Sequence, residues 1–108
     1  MREEILKKNE SKCTVEDVLS VLGGKWAMPI IYVLSNGKMR FKEIERAVVN
    51  INTRMLAKEL KNMEINGIVT RKVFATVPAT VEYTLTPKGE KLLPIIVDLL
   101  KWGHEYMD

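Results

Sequence analysis

Apolar positions recur along the chain first at helical and then at strand spacing, and that change of period divides it. Residues 2–10 are mostly polar, with only Ile5 and Leu6 apolar, a pattern that permits a helix needing a partner surface. Val15, Val18, Leu19 and Leu22 fall at i, i+3, i+4 and i+7 behind Thr14, a good N-cap. Glu16 and Asp17 suit the first-turn dipole, and Gly23 and Gly24 end this helix. A second helix is expected from about Lys25 to Ser35. It gathers Trp26, Ile30, Ile31 and Leu34 on one side, tolerates Pro29 near its first turn, and closes at Asn36 and Gly37.

A short helix from Phe41 to about Ala47 and a turn over Val48 to Ile51 come next. A longer helix follows over about 52–66, with Asn52 as N-cap and Gly67 just past its end. Within it Leu56, Leu60 and Met63 share one face, while Arg54, Lys58 and Lys61 occupy a narrow arc on the opposite one. Beyond Gly67 the period becomes two. Ile68 to Phe74 and Val81 to Thr86 are rich in β-branched and aromatic residues and predict a hairpin, 68–86, around a six-residue loop containing Pro78. Thr86 and Pro87 then open a last helix carrying Leu92, Ile95, Ile96, Leu99, Trp102 and Tyr106 at helical spacing. Leu93, Leu100 and Met107 widen its apolar face beyond what one small domain uses, so association through this helix is expected.

The 108 residues fit one α+β domain. The net charge of +3 is modest, but its distribution changes the picture. Residues 38–72 hold nine cations against four anions, whereas residues 1–37 balance and residues 73–108 are net negative. A basic middle on a neutral scaffold suits a polyanion-facing element; a set of solvated helix faces would give the same count. The longest apolar run, Trp26 to Leu34, is far short of the roughly 20 residues of a membrane span, and acidic residues near the N-terminus do not suit a signal peptide. A cytoplasmic protein with no membrane partner is therefore expected. General acid-base and metal chemistry draw on His, Cys and clustered carboxylates, yet His104 and Cys13 are the only members of their types. No glycine-rich phosphate loop is present, so neither an enzyme nor a bound cofactor is expected. His104 reads as a favourable polar residue near a helix C-terminus.

A short helix, a turn, a longer helix with a cationic outer face and a following hairpin is the order of a winged helix-turn-helix with extra N- and C-terminal helices. A helix about 12 Å across fits the major groove, where Thr53 and Arg54, next to Asn52, reach base edges and Lys58 and Lys61 meet phosphates. The same architecture also serves as a protein-protein interaction module, and that alternative stays open on pattern alone. Lys25 sits at a helix N-terminus, where the macrodipole disfavours a cation. A phosphate contact would rationalise it, and so would an exposed lysine whose stem packs on Trp26.

The sequence resembles HxlR-type regulators, a MarR-like group of winged helix-turn-helix proteins. The resemblance is carried by Cys13-Thr14-Val15-Glu16, Gly23-Gly24-Lys25-Trp26, Arg40-Phe41-Lys42-Glu43-Ile44, Thr53-Arg54-Met55-Leu56, Leu60-Lys61, Val81-Glu82-Tyr83-Thr84-Leu85-Thr86 and Lys101-Trp102-Gly103. It implies a homodimer built from the first and last helices, through Ile5, Leu6, Leu92, Ile96, Leu99, Trp102 and Tyr106. It also implies operator binding to double-stranded DNA by the helix carrying Arg54 and wing contacts alongside; Arg40, in the basic middle, is expected among the DNA contacts. Two departures bear on the wing: Pro78-Ala79 stands where the family often has paired prolines, and the loop from Ala75 to Thr80 contains no cation. Arg71 and Lys72 on the strand are then the expected phosphate contacts. The resemblance further implies oxidant or electrophile sensing at Cys13, which precedes the helix capped by Thr14; an inert thiol packed at the dimer interface is the alternative.

Overall fold

The computed structural model describes residues 13–108. Ile5, Leu6 and the helix expected over residues 2–10 lie outside the described residues. The elements are α1 (Val15–Leu22), α2 (Ala27–Val33) continued by a 3-10 turn (Leu34–Asn36), β1 (Met39–Arg40), α3 (Phe41–Ala47), α4 (Thr53–Ile65), β2 (Val69–Phe74), β3 (Thr80–Leu85), α5 (Pro87–Glu90) and α6 (Leu93–Tyr106). The strands form one antiparallel sheet in the order β1-β3-β2, so the hairpin is extended on its β3 edge by the two residues that precede α3.

The caps fall where side-chain chemistry places them. Thr14 Oγ1 accepts from the Asp17 N–H at 3.1 Å while Asp17 Oδ2 accepts from the Thr14 N–H at 2.9 Å, a reciprocal capping box that starts α1. At the far end of α4, Gly67 adopts φ 73°. The Ile68 N–H donates to the Met63 carbonyl at 2.9 Å and the Gly67 N–H to that of Glu64 at 3.1 Å, the paired bonds of a Schellman motif. Lys88 Nζ donates to the Asn66 carbonyl at 2.7 Å and covers a further orphan acceptor of that helix end.

Ile30, Ile31 and Leu34 meet Ile44 of α3, Leu56, Leu60 and Met63 of α4, and Ile68, Val69, Tyr83 and Leu85 of the hairpin in one buried cluster. Each such side chain contributes about 1.5–3 kcal/mol of transfer free energy. Since the cluster draws on α2, α3, α4 and the sheet together, it fixes the angle at which α4 leaves the body. Trp26, expected on the same side of α2, is buried with them.

Beyond the unexpected strand β1, the last helix and the wing loop differ from expectation. Thr86 does act as an N-cap, its Oγ1 accepting from the Gly89 N–H at 3.0 Å, but it opens only the single turn α5. Lys91 and Leu92 interrupt the run before α6 begins at Leu93, because Pro94 has no N–H and its ring crowds the carbonyl four residues earlier, that of Glu90. Gly89 is needed within α5: a Cβ there would collide with the Ile68 carbonyl, so the turn sits directly against the start of the hairpin. The wing loop is also one residue shorter than expected, since Thr80 already belongs to β3.

Candidate nucleic-acid interface

The turn between α3 and α4 is pinned from within by Val48 and Ile51, both buried, and passes through Asn50 in the left-handed region at φ 69°. Asparagine tolerates that conformation far better than a β-branched residue. Asn52 then caps α4, its Oδ1 accepting from the Met55 N–H at 2.8 Å. That side-chain oxygen is therefore committed to starting the helix, and Asn52 orients its neighbours. Thr53, the first helical residue, is exposed, and its hydroxyl donates to the Glu45 carboxylate on α3.

From this start α4 presents two unlike faces. Leu56, Leu60 and Met63 are fully inside, while Arg54, Lys58 and Lys61 are all exposed on the opposite side. Arg71 joins them from the sheet: it lies across from Tyr83 in the β2–β3 ladder and lines a groove with Ala57, Lys61 and Glu64. Lys72 does not. It lies across from Glu82, on the other face of the sheet, with Nζ 5.1 Å from the Phe74 ring centroid. Arg40 faces the same Glu82 from β1, and Lys38 reaches it at 3.9 Å, so one half-buried carboxylate stands near two of the expected contacts, Arg40 and Lys72, and pairs with a third cation, Lys38. The Arg40 N–H also donates to Glu43 Oε1 at 2.8 Å, which makes Arg40 the residue from which α3 starts.

The remaining expected positions separate. Lys25 is exposed with Nζ 4.9 Å from the Trp26 ring centroid, the arrangement in which the lysine packs on its aromatic neighbour, and it borders a groove with Val48 and Val49 of the turn. The wing tip carries Val77 fully exposed, with the Thr76 hydroxyl donating to the Pro78 carbonyl at 2.8 Å. Cys13 is exposed beside the Thr14 cap. His104 Nδ1 lies 2.6 Å from Asp108 Oδ2 at the end of α6.

The apolar stripe expected on the last helix divides as well. Ile96 is 8% exposed and packs in the chain's own core, with Leu92 half-buried against it. Leu99, Trp102 and Tyr106 are 51%, 56% and 66% exposed. On α1, Val15, Val18 and Leu19 are also exposed, so the amphipathic pattern of that helix is not satisfied by the described part of the chain. Glu45 is a neighbour of Thr53 that sequence reading missed: it is one acidic position on a short helix, and only the folding of α3 and α4 together brings it there.

Among the described residues no single helix is long and apolar enough to cross a membrane, and no three His, Cys, Asp or Glu side chains gather as a metal site. The model of the HxlR-like helix-turn-helix family matches residues 21–108. An HTH-type transcriptional regulator of Methanothermobacter thermautotrophicus is 41% identical over 98 residues, covering 91% of this chain and 75% of that protein. Among solved structures, the redox regulator HypR in its oxidized form superposes with a TM-score of 0.81 at 43% identity, covering 89% of this chain and 99% of that one. The reduced form of the transcriptional regulator YodB from B. subtilis gives 0.74 at 41% identity, covering 84% and 89%. The chain therefore belongs to the HxlR-like helix-turn-helix family, a family of winged-helix transcriptional regulators and not of enzymes.

Proposed function

We propose that the chain binds double-stranded operator DNA as a homodimer, with α4 in the major groove and the β2–β3 hairpin alongside as the wing. The observation that carries this reading is the cationic arc of α4: Arg54, Lys58 and Lys61 are exposed on the side opposite the buried Leu56, Leu60 and Met63. Thr53 and Arg54 lie at the end of the helix that enters a groove first and are suited to base edges, whereas Lys58, Lys61 and Arg71 are spaced to follow phosphates. Arg40 and Lys72 flank this set, both in register with Glu82 across the sheet, and Lys25 is a peripheral contact at most.

The homodimer is supported by the exposed apolar stripes, Leu99, Trp102 and Tyr106 on α6 and Val15, Val18 and Leu19 on α1, which a second copy would cover. A redox input at Cys13 is supported by its exposure and by similarity to HypR, a redox regulator. The sequence holds one cysteine, so a disulfide joins the Cys13 thiols of two subunits or joins Cys13 to a small thiol. In either case two thiol protons and two electrons pass to the oxidant.

Titrating a labelled mixed-sequence duplex with the full chain at rising salt tests the DNA reading. Log affinity should fall linearly with log salt, with a slope near −0.9 for each phosphate neutralised. Absence of binding at low salt would reject it and leave a winged-helix protein-interaction module.

A further inference from the structure

We infer that Glu45 is a specificity-positioning residue: by taking the hydroxyl proton of Thr53 it makes Thr53 an acceptor-only reader that selects a base presenting an amino group. The inference rests on α4 entering the major groove. Thr53 is the first residue of α4 and is exposed, and its Oγ1 donates to the carboxylate of Glu45, a half-buried residue on α3. The hydroxyl is not consumed by the backbone, because the helix cap is supplied one residue earlier, by Asn52 Oδ1 accepting from the Met55 N–H at 2.8 Å.

A threonine hydroxyl has one hydrogen to give and two lone pairs, and an ionised carboxylate can only accept. An O–H donated to a carboxylate is charge-assisted and stronger than one donated to a neutral acceptor, so a base edge competes poorly for that hydrogen. What Thr53 then shows to a groove is lone pairs and a methyl group. In the major groove those lone pairs match the amino groups of cytosine N4 and adenine N6 and oppose the acceptors of guanine O6, guanine N7 and thymine O4. The Glu45 carboxylate behind the hydroxyl adds negative potential of the same sense. Without Glu45 the hydroxyl would rotate freely and serve donors and acceptors alike, so the discrimination at this base belongs to the pair and not to Thr53 alone.

The test uses the full chain and duplexes that it enriches from a random library, with every base pair of the enriched site then replaced in turn by the other three. The position read by Thr53 is the one whose preference Thr53→Val abolishes. Wild type should favour cytosine or adenine there by at least about fivefold, the size of a modest mismatch penalty. Glu45→Ala, which keeps a good helix former on α3, should admit guanine or thymine at that position alone while leaving the other positions as they were. A role of Glu45 in merely bracing the two helices would instead lower affinity across all sequences. Preference at the Thr53 position unchanged in Glu45→Ala overturns the inference while leaving DNA binding intact, as does a Thr53→Val variant that loses no preference at any one position. Wild type that enriches no sequence and binds no duplex removes the DNA reading and this inference with it.

Discussion

Arg71 and Lys72 are neighbours in sequence but stand on opposite faces of the sheet, Arg71 across from Tyr83 and Lys72 across from Glu82. Arg71 shares a groove with Lys61 of α4, whereas Lys72 lies on the other face, in register with Glu82 and with its ammonium over the Phe74 ring. Arg71→Ala should therefore weaken binding to all duplexes and reduce the salt slope by about one contact, roughly 0.9. Lys72→Ala should change the slope less. Fluorescence anisotropy over a series of salt concentrations separates the two, and equal losses would contradict the assignment.

Arg54 and Lys61 sit at the start and on the later turns of the same exposed arc. Arg54→Ala should cost about 1–3 kcal/mol of discrimination between operator and random DNA if its guanidinium is bidentate to a guanine. Lys61→Ala should weaken both alike. Competition binding with specific and random duplexes measures the difference.

On α6 the neighbouring positions Ile96 and Leu99 should respond oppositely. Ile96 is 8% exposed, so Ile96→Ala should destabilise the chain by about 2–5 kcal/mol in a denaturant melt. Leu99 is 51% exposed, and Leu99→Glu should leave the subunit folded but yield monomers with greatly reduced operator affinity. Trp102→Glu should behave as Leu99→Glu does. Sedimentation velocity reads the oligomeric state, and a Leu99→Glu protein that remains dimeric would place the interface elsewhere.

Gly89 has no room for a side chain above the Ile68 carbonyl. Gly89→Ala should lower stability by about 1–3 kcal/mol, the usual range for overpacking. Thr86→Ala, which removes the cap of the same turn, should lower it by about 1 kcal/mol. Thermal melts of both variants check the order.

Cys13 is exposed beside the capping box of α1. Diamide should change the operator affinity of wild type and leave Cys13→Ser unaffected. The change should reverse on adding dithiothreitol. An equal response in the two proteins would assign the oxidant effect to another group.

The sequence made legible whatever depends on a repeating pattern or a local bond. Leu56, Leu60 and Met63 announce the buried side of α4 at helical spacing, and Thr14, Asn52 and Thr86 each cap the helix that follows. The expected arc of Arg54, Lys58 and Lys61 is exposed for the same reason. What escaped reading depends on contacts between elements. Met39 and Arg40 form a strand too short to have a period, and they become one only because β3 lies beside them. Glu45 and Thr53 are eight residues apart across a turn and meet only after docking. The break before α6 was signalled by Pro94, but the apolar spacing from Leu92 to Tyr106 runs through it undisturbed. Arg71 and Lys72 could have been separated in advance, since alternation along a strand sends adjacent side chains to opposite faces.

The short strand β1 runs into α3 without an intervening residue, and its register with β3 couples the first helix of the helix-turn-helix to the hairpin. The base of the wing, α3 and α4 thus share one sheet and one buried core. In the proposed homodimer, two half-sites about 34 Å apart would register a small change in the separation or tilt of one subunit relative to the other as loss of one of the two contacts.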